Sequence, residues 1–354
     1  MGAQVIWGPH ARRFVSVTDF SLDELGWSDF QADQLGPEDA DVLCTRVAEV
    51  HRNRLLVFGA EGTLDLFMPP NLPTTDIAVG DWVLSLNGRV TRALEPKTLI
   101  KRRSGGADGT VQLIAANVDT LFIVTSHNAD FNLRRLERYL ALAYESEVTP
   151  VIILTKADMS DDIATYVDQA RGLKSGLEVV TLNAKSPDVT AALARWCRLG
   201  QTVALTGSSG VGKTTLTNAL TGGLAATAGI REDDARGRHT TTHRALSPLP
   251  QGGWIIDTPG IRELSMTDMD DGIDAVFADV AELSLHCKFN DCAHQGEPGC
   301  AIGAAIADGS LDRDRFERWT KLKAEGATAP AKRQKAGPGR GNAMRARARQ
   351  RDKE

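Results

Sequence analysis

The stretch TVALTGSSGVGKTTLTNAL, residues 202–220, decides the fold of this chain. Its central part, GSSGVGKT at 207–214, matches the phosphate-loop pattern G-x-x-x-x-G-K-[ST] and lies between a predicted strand and a predicted helix, as that pattern requires. The glycines allow successive backbone N–H groups to face phosphate oxygens at the positive end of the helix. Lys213 can reach the β- and γ-phosphates, and the Thr214 hydroxyl can bind Mg²⁺. We therefore expect nucleotide contacts from Gly207, Ser208, Ser209, Gly210, Val211, Gly212, Lys213, Thr214 and Thr215.

Two motifs upstream of this loop predict that the nucleotide carries guanine. TKAD at 155–158 ends the apolar run VIILT and resembles the guanine-reading N-K-x-D of GTPases. The Asp158 carboxylate can accept the N1–H and amino hydrogens of guanine, a donor pair that adenine lacks. The Lys156 stem can cover the base, whereas Thr155 in place of Asn predicts a looser contact with the base and the phosphate loop. NAK at 183–185 follows the next predicted strand, and an N–H near Ala184 would face guanine O6.

Each of these motifs alone is also compatible with an ordinary turn at a strand end. Together, at strand ends of one sheet, they favour guanine recognition. The residues expected to contact the nucleotide here are Thr155, Lys156, Ala157, Asp158, Asn183, Ala184 and Lys185.

A fourth motif, DTPG at 257–260, follows the apolar run WIID. Asp257 can hold Mg²⁺ through water, and the Gly260 N–H can sense the γ-phosphate. The next residue is Ile261, where many GTPases place a glutamine that orients water, so hydrolysis needs another group. His239 in GRHTTTH (237–243) is the best candidate, although a surface histidine without chemistry stays an alternative.

Magnesium is expected to bind one threonine of the same segment. We predict Thr241, with Thr240 or Thr242 as alternatives, together with Thr214 and, through water, Asp257.

The order of the motifs is unusual, because the base-reading motifs precede the phosphate loop, whereas ordinary GTPases place them after it. Apolar runs at 121–126, 151–155, 177–182 and 202–206 alternate with helical patterns, which predicts a mostly parallel sheet covered on both faces. The expected fold class is α/β, with a circularly permuted P-loop GTPase domain over residues 110–268.

Smaller units are expected on both sides of this domain. Five short β-type segments with Gly, Pro and Asn-Gly turns between 41 and 103 predict a closed barrel of OB or SH3-like type. The barrel segment is locally basic, which suits oligonucleotide binding but also plain solvation. Residues 1–40 form an acidic extension whose role is not evident from the sequence.

The segment CKFNDCAHQGEPGC at 287–300 predicts a metal site. Its C-x4-C-x-H-x5-C spacing offers three thiolates and one imidazole, a complete tetrahedral set for structural Zn²⁺. We expect Cys287, Cys292, His294 and Cys300 as ligands, with His286 a less favoured alternative to His294. Flanking segments at 272–284 and 311–324 look helical, so a small zinc-binding domain is predicted over 272–326.

Taken together, the chain resembles the ribosome-small-subunit-dependent, circularly permuted GTPases. The resemblance covers nearly everything from about residue 41 to 325, and it includes DFNLRRLERYL (130–140), LTKAD, GSSGVGKTT, GRHTTTH, DTPG and the metal segment with EPGC. It implies an OB barrel, a permuted GTPase domain, a zinc domain and a role in late maturation of the small ribosomal subunit. It also points to His239 in hydrolysis and strengthens the zinc assignment.

Composition supports an intracellular, RNA-associated protein. Residues 327–354 carry nine Lys and Arg against two acidic residues, or +7, although the whole chain has a net charge of −5. A basic tail rich in Gly, Pro and Ala is typical of arms that bind nucleic acid, although a merely solubilising tail is the alternative. The five cysteines, three of them clustered, suit a reduced compartment, so we expect a cytoplasmic monomer without membrane contact.

Three functions are weighed against each other. The favoured one is a GTP hydrolase that binds rRNA of the small ribosomal subunit and is released on subunit-stimulated hydrolysis. The others are a non-catalytic RNA-binding scaffold with a structural GTP site and an ATP-dependent kinase. TKAD argues against the kinase, and intact Lys213, Asp257 and His239 argue against the scaffold.

Overall fold

The computed structural model describes residues 19–103, 111–128, 130–223, 244–257 and 269–327. Within them a barrel is followed by an α/β sheet and a group of helices. No helix in these ranges is long and apolar enough to cross a bilayer. The predicted domain boundaries stay predictions.

The barrel contains the five strands predicted from the turn pattern. They are β1 (Leu43–Val50), β2 (Arg54–Gly59), β3 (Gly62–Phe67), β4 (Trp82–Leu86) and β5 (Arg89–Ala93). Their order is β1-β2-β3-β5-β4, closed by pairing of β4 with β1, a Greek-key order typical of OB folds. Alternate residues point inward, so Val47, Leu55 and Val83 are fully buried in the barrel core. The β4–β5 turn is Asn87–Gly88, and both residues have positive φ, as the tightest hairpin turns require.

Two further strands connect the barrel to the sheet. They are β6 (Leu99–Arg103) and β7 (Val111–Ala116), which form a separate antiparallel pair. Although β6 falls within the range 41–103, it pairs with β7 and not with the barrel.

The sheet of the predicted GTPase domain has six strands in the order β10-β9-β8-β11-β13-β12. The strands are β8 (Thr120–Ser126), β9 (Thr149–Thr155), β10 (Glu178–Thr181), β11 (Thr202–Gly207), β12 (Ala245–Pro248) and β13 (Trp254–Asp257). All pairs are parallel except β12 with β13. The permuted order of motifs is therefore compatible with a parallel sheet wound on both faces.

Helices cover both faces of this sheet because successive residues of each central strand point to opposite sides. One core joins Ile123 and Ile152 to α2 (Leu133–Glu145), and the other joins Phe122 and Val151 to the helices at Val189–Leu193 and Lys213–Thr221. The remaining helices around the sheet are α3 (Ile163–Arg171), α4 (Val189–Leu193) and α5 (Lys213–Thr221), and a short α1 spans Asp29–Ala32.

Four helices follow the sheet within the described residues, and the first and last of them pack against α2. They are α6 (Asp270–Val276), α7 (Ala278–Leu285), α8 (Ala301–Ala307) and α9 (Arg313–Ala327). Two ion pairs join α9 to α2: Arg318 Nε lies 2.8 Å from the buried Glu137 Oε1, and Arg138 Nη2 lies 2.6 Å from Glu325 Oε2. The helical group is therefore attached directly to the helix that covers one face of the sheet.

Candidate functional site

The predicted nucleotide motifs meet at one edge of the sheet. Strands β9, β10, β11 and β13 share one direction, so their carboxyl ends lie along the same edge, where open α/β sheets bind ligands. TKAD follows β9, NAK follows β10, the phosphate loop follows β11, and Asp257 ends β13. Four segments that are far apart in the sequence are thus brought together.

The phosphate loop has the backbone that its glycines permit. Gly207, Gly210 and Gly212 have φ values of 139°, 79° and 99°, in the region that residues with a side chain rarely adopt. A Cβ on Gly207 would lie 2.1 Å from the Val124 carbonyl oxygen, so only glycine fits at the start of the loop. Lys213 Nζ donates to the carbonyl oxygen of Gly207 at 2.8 Å and to that of Ser208. The ammonium group therefore lies within the curve of the loop.

Thr155 contacts the phosphate loop directly. Its side chain is fully buried, and its hydroxyl lies 3.0 Å from the Thr125 carbonyl oxygen and 2.5 Å from that of Val211. The loop lies close to β9 here, since a Cβ added at Gly212 would be in van der Waals contact with Thr155 Oγ1 at 3.6 Å. The hydroxyl therefore connects TKAD to the loop directly, while the looser contact expected from the replacement of Asn stays a prediction.

The two base-reading motifs are also connected to each other. The Leu182 N–H donates to the Leu154 carbonyl at 3.0 Å, and the Ala157 N–H donates to Leu182 O at 3.4 Å. Lys156 enters a short 3-10 turn with left-handed backbone, and Asp158 in that turn is exposed. In the second motif, Asn183 Oδ1 accepts the Lys185 N–H at 2.9 Å, which closes the NAK turn.

Asp257 lies close enough to Lys213 to interact electrostatically. Burial raises the pKa of this carboxyl, and the Lys213 ammonium opposes that shift only in part. The negative charge of this partly buried carboxylate is only partly balanced by Lys213, so a divalent cation bound nearby would stabilise it.

Several predicted site residues lie outside the described residues. They are His239, Thr240, Thr241, Thr242 and Gly260, together with Ile261. Their roles stay predictions.

One contact of the phosphate loop was not predicted. Arg135 on α2 donates to the Ser208 hydroxyl, 73 residues away, and forms an ion pair of 3.1 Å with Asp130. Both charged residues belong to DFNLRRLERYL, which had been noted without a role for either side chain. The sequence shows a charged pair at the start of an amphipathic helix. It does not show that the Arg135 side chain faces the phosphate loop, because that depends on tertiary structure.

The predicted metal ligands form a second site, between α7 and α8. The ligand atoms of Cys287, Cys292, His294 and Cys300 all lie within 4.8 Å of one another, and His286 is not among them. His294 Nδ1 is 3.5 Å from Cys287 Sγ and 3.6 Å from Cys300 Sγ. With Zn–S near 2.3 Å and Zn–N near 2.0 Å, two ligand atoms of a tetrahedral site lie about 3.5 Å apart. The cluster is therefore compatible with zinc.

The chemistry of the cluster also suits a cation. Desolvation and hydrogen bonds to Cys300 and Cys287 raise the pKa of the Cys292 thiol to about 11, because adjacent thiols resist shared ionisation. Cys300 caps α8, where its Sγ accepts the Gly303 N–H at 3.3 Å. A soft divalent cation would allow Cys287, Cys292 and Cys300 to ionise together, because it would bind all three thiolates.

Comparisons with known proteins agree with this arrangement. A profile of the RsgA GTPase family matches residues 93–267. The chain is 54% identical over 317 residues to the small ribosomal subunit biogenesis GTPase RsgA of Mesorhizobium japonicum, covering 88% of this chain and 91% of that protein. It is 47% identical over 313 residues to RsgA 2 of Vibrio parahaemolyticus, covering 88% and 87% of the two chains.

Solved structures show the same fold. YjeQ from Thermotoga maritima superimposes with a TM-score of 0.61 at 24% identity, covering 82% of this chain and 100% of that one. YloQ, described as a circularly permuted GTPase, superimposes with a TM-score of 0.58 at 21% identity over 84% and 99%. The predicted fold class is confirmed, and so is the predicted GTPase activity. The chain belongs to the RsgA GTPase family.

Proposed function

We propose that this GTPase acts in the late maturation of the small ribosomal subunit, binds its rRNA, and leaves when the subunit has stimulated GTP hydrolysis. The relatives named as small ribosomal subunit biogenesis GTPases are up to 54% identical and match nearly the whole chain. This similarity is the main support. A cytoplasmic location follows from such a role.

The barrel surface supports an RNA partner. Phe67 is 55% exposed, and its strand neighbour Arg89 is exposed beside it. An exposed aromatic side chain and an exposed arginine on paired strand positions suit base stacking combined with phosphate attraction. Two other basic side chains of the barrel form ion pairs, since Arg54 and Arg92 bind Asp65 and Asp39. The RNA contribution of the barrel is therefore assigned to the Phe67–Arg89 surface and not to its whole basic composition.

The nucleotide and metal roles complete the proposal. Asp158 reads guanine, and Thr214 with Asp257 and a threonine of 240–242 holds Mg²⁺, which neutralises phosphate charge during transfer. The Cys287, Cys292, His294 and Cys300 cluster holds one structural Zn²⁺. His239 orients the attacking water once the subunit has positioned its loop, because a hydrophobic residue, Ile261, follows DTPG.

Steady-state GTP turnover, with and without purified small ribosomal subunits, tests the proposal. Subunits should accelerate turnover by at least about tenfold at low salt, and the acceleration should fade as salt rises, because phosphate contacts release counterions. His239→Ala should lose most of the stimulated rate while binding GTP nearly as before, and the neighbouring His243→Ala serves as the control. Unchanged turnover with subunits at low salt would contradict the proposed partner, whereas parental rates in His239→Ala would contradict only the catalytic assignment.

A further inference from the structure

The amino end of α2 presents an arginine to the phosphate loop. Asn132 caps this helix, since its side chain accepts the Arg135 N–H at 3.1 Å, which fixes the turn from which the Arg135 side chain leaves. That side chain reaches the Ser208 hydroxyl, directly after the first glycine of the loop. Helix α2 packs in the core through Leu136 and Leu140, so the point from which Arg135 projects is firmly supported.

The orientation of the guanidinium group is set by Asp130. Arg135 Nη1 donates to Asp130 Oδ1 at 3.1 Å, and Nη2 donates to the Asp130 carbonyl oxygen at 3.3 Å. Asp130 is held in turn, because its N–H donates to Asn128 Oδ1 at 2.9 Å. Since a guanidinium group is planar and its donors form a rigid fork, two fixed acceptors leave the second Nη1 hydrogen directed at Ser208.

Ser208 is therefore held from two sides. Arg135 binds its hydroxyl, and the Lys213 ammonium binds its carbonyl oxygen. The two contacts behave differently when a nucleotide enters, because Lys213 has to turn from the loop carbonyls to the phosphates. Arg135 is bound to a side chain and to Asp130, so its contact can persist in both states.

We propose that Arg135 is a positioning residue of the GTPase reaction, which holds Ser208 and with it the phosphate loop in the conformation that receives the phosphates. When Lys213 turns from the loop carbonyls to the phosphates, the hydrogen bond from Arg135 to the Ser208 hydroxyl still holds the loop. A loop that is ordered before binding loses less conformational freedom on binding, which strengthens affinity.

This role has a specific kinetic consequence. A preorganised phosphate loop favours GTP, GDP and the transition state alike, which is uniform binding. Loss of the hydrogen bond from Arg135 to Ser208 should therefore raise KM and speed GDP release, while kcat changes little. A group that stabilises only the transition state would lower kcat, and one that supports only the fold would lower Tm without changing KM.

Four variants of the full chain test the proposal: Arg135→Gln, Ser208→Ala, the double variant, and Arg134→Gln as control. Arg134 is exposed on the same turn of α2, so its replacement makes the same charge change without a contact to the loop. For each variant we would measure KM and kcat for GTP, the rate of GDP release, and Tm. Arg135→Gln should raise KM and accelerate GDP release by about tenfold, which corresponds to about 1.4 kcal/mol and is within the range for a charged hydrogen bond. Its kcat should stay within about twofold, and Arg134→Gln should match the parent.

Ser208→Ala separates action through Ser208 from direct action on the nucleotide. If Arg135 acts through Ser208, the double variant should lose no more affinity than Arg135→Gln alone, because both changes remove one interaction. The proposal is overturned if the losses of the single variants add in the double variant. It is also overturned if Arg135→Gln lowers kcat without raising KM, or if it changes only Tm.

Discussion

Asp158 lies exposed in a turn whose backbone position is fixed by β9 and by the hydrogen bond from Ala157 to Leu182. The carboxylate is therefore accessible from solvent. Thr155, three residues earlier, joins the same turn to the phosphate loop through its hydroxyl. TKAD and the phosphate loop are thus joined by a single side chain.

Replacing Asp158 tests whether this residue recognises guanine. Asp158→Asn replaces an acceptor pair by one acceptor and one donor, so GTP binding should weaken by at least about tenfold, with preference shifting toward xanthine nucleotide. Competition titrations with GTP, ATP and xanthosine triphosphate measure this, and Asp161→Asn in the exposed turn that follows is the control. Equal competition by ATP and GTP in the parent protein would contradict guanine reading by this residue.

Because of the partly buried Asp257 carboxyl, we expect the stability of the nucleotide-free protein to depend on pH. Burial raises the pKa of the Asp257 carboxyl in the folded protein above its value in the unfolded chain. The folded state therefore binds a proton at this group more readily than the unfolded state does. As pH rises through the folded-state pKa, Asp257 makes the nucleotide-free protein less stable. Asp257→Asn should therefore raise Tm of the empty protein at pH 7 by about 2 °C, and this gain should shrink as pH falls. The same variant should bind Mg²⁺·GTP more weakly, because the water through which Asp257 is proposed to hold the cation would lose a carboxylate partner. A lower Tm at pH 7 would show that attraction to Lys213, and not desolvation, dominates.

Among the elements, α2 has a central place, since it contacts the phosphate loop through Arg135 and α9 through Glu137 and Arg138. Glu137 is fully buried, and burial raises the pKa of its carboxyl against the opposing effect of Arg318. Helix α9 also packs Phe316 and Trp319 against the ring of His294, a predicted zinc ligand. A continuous set of contacts thus connects the nucleotide edge with the metal cluster.

The Glu137–Arg318 pair should dominate the attachment of α9. Arg318→Met leaves a buried carboxylate without a partner, so the free energy of unfolding should fall by about 3–5 kcal/mol. Glu137→Leu combined with Arg318→Met should recover most of that loss, because no charge stays buried. Urea unfolding followed by tryptophan fluorescence measures this. As a control, Arg195→Met breaks a pair that is half exposed on both sides and should cost about 1 kcal/mol or less. Equal losses in Arg318→Met and Arg195→Met would contradict the assignment.

The metal cluster gives a second prediction at this scale. Protein purified without chelator should contain about one Zn²⁺ per chain, and Cys292→Ser should reduce zinc content and the stability of α7 and α8. Cys44→Ser removes a thiol outside the cluster and should retain the metal. Elemental analysis measures both variants, and full zinc retention in Cys292→Ser would exclude Cys292 as a ligand.

The elements were predictable where a local pattern determines them. The alternation of buried residues in β2 and the Asn87–Gly88 turn identify barrel strands, and the glycines of the phosphate loop identify its backbone. The position of β13 between β11 and β12 depends on contacts between distant segments. Likewise, the contacts of Thr155 with Val211 and of Arg135 with Ser208 join residues 56 and 73 positions apart, and no local signal specifies them.

At the scale of the whole molecule, a buried arginine fixes the barrel against the sheet. Arg46 of β1 donates to Thr202 Oγ1 of β11 at 2.8 Å, to Asn117 O at 3.1 Å and to Leu25 O at 2.5 Å. Burial lowers the pKa of its guanidinium to about 10, which leaves it charged at neutral pH. Described residues of the acidic extension take part as well, because Trp254 Nε1 donates to Glu24 O at 2.6 Å. RNA bound on the barrel would therefore be held in a fixed position relative to the nucleotide edge.

The most direct test of the proposed function is the affinity of the chain for purified small ribosomal subunits in its two nucleotide states. Co-sedimentation with a non-hydrolysable GTP analogue and with GDP, at one salt concentration, measures it. We expect binding with the analogue to be at least about tenfold tighter than with GDP, which corresponds to a coupling of about 1.4 kcal/mol. Equal affinity in the two states would contradict release on hydrolysis, because hydrolysis could then not change the affinity for the subunit.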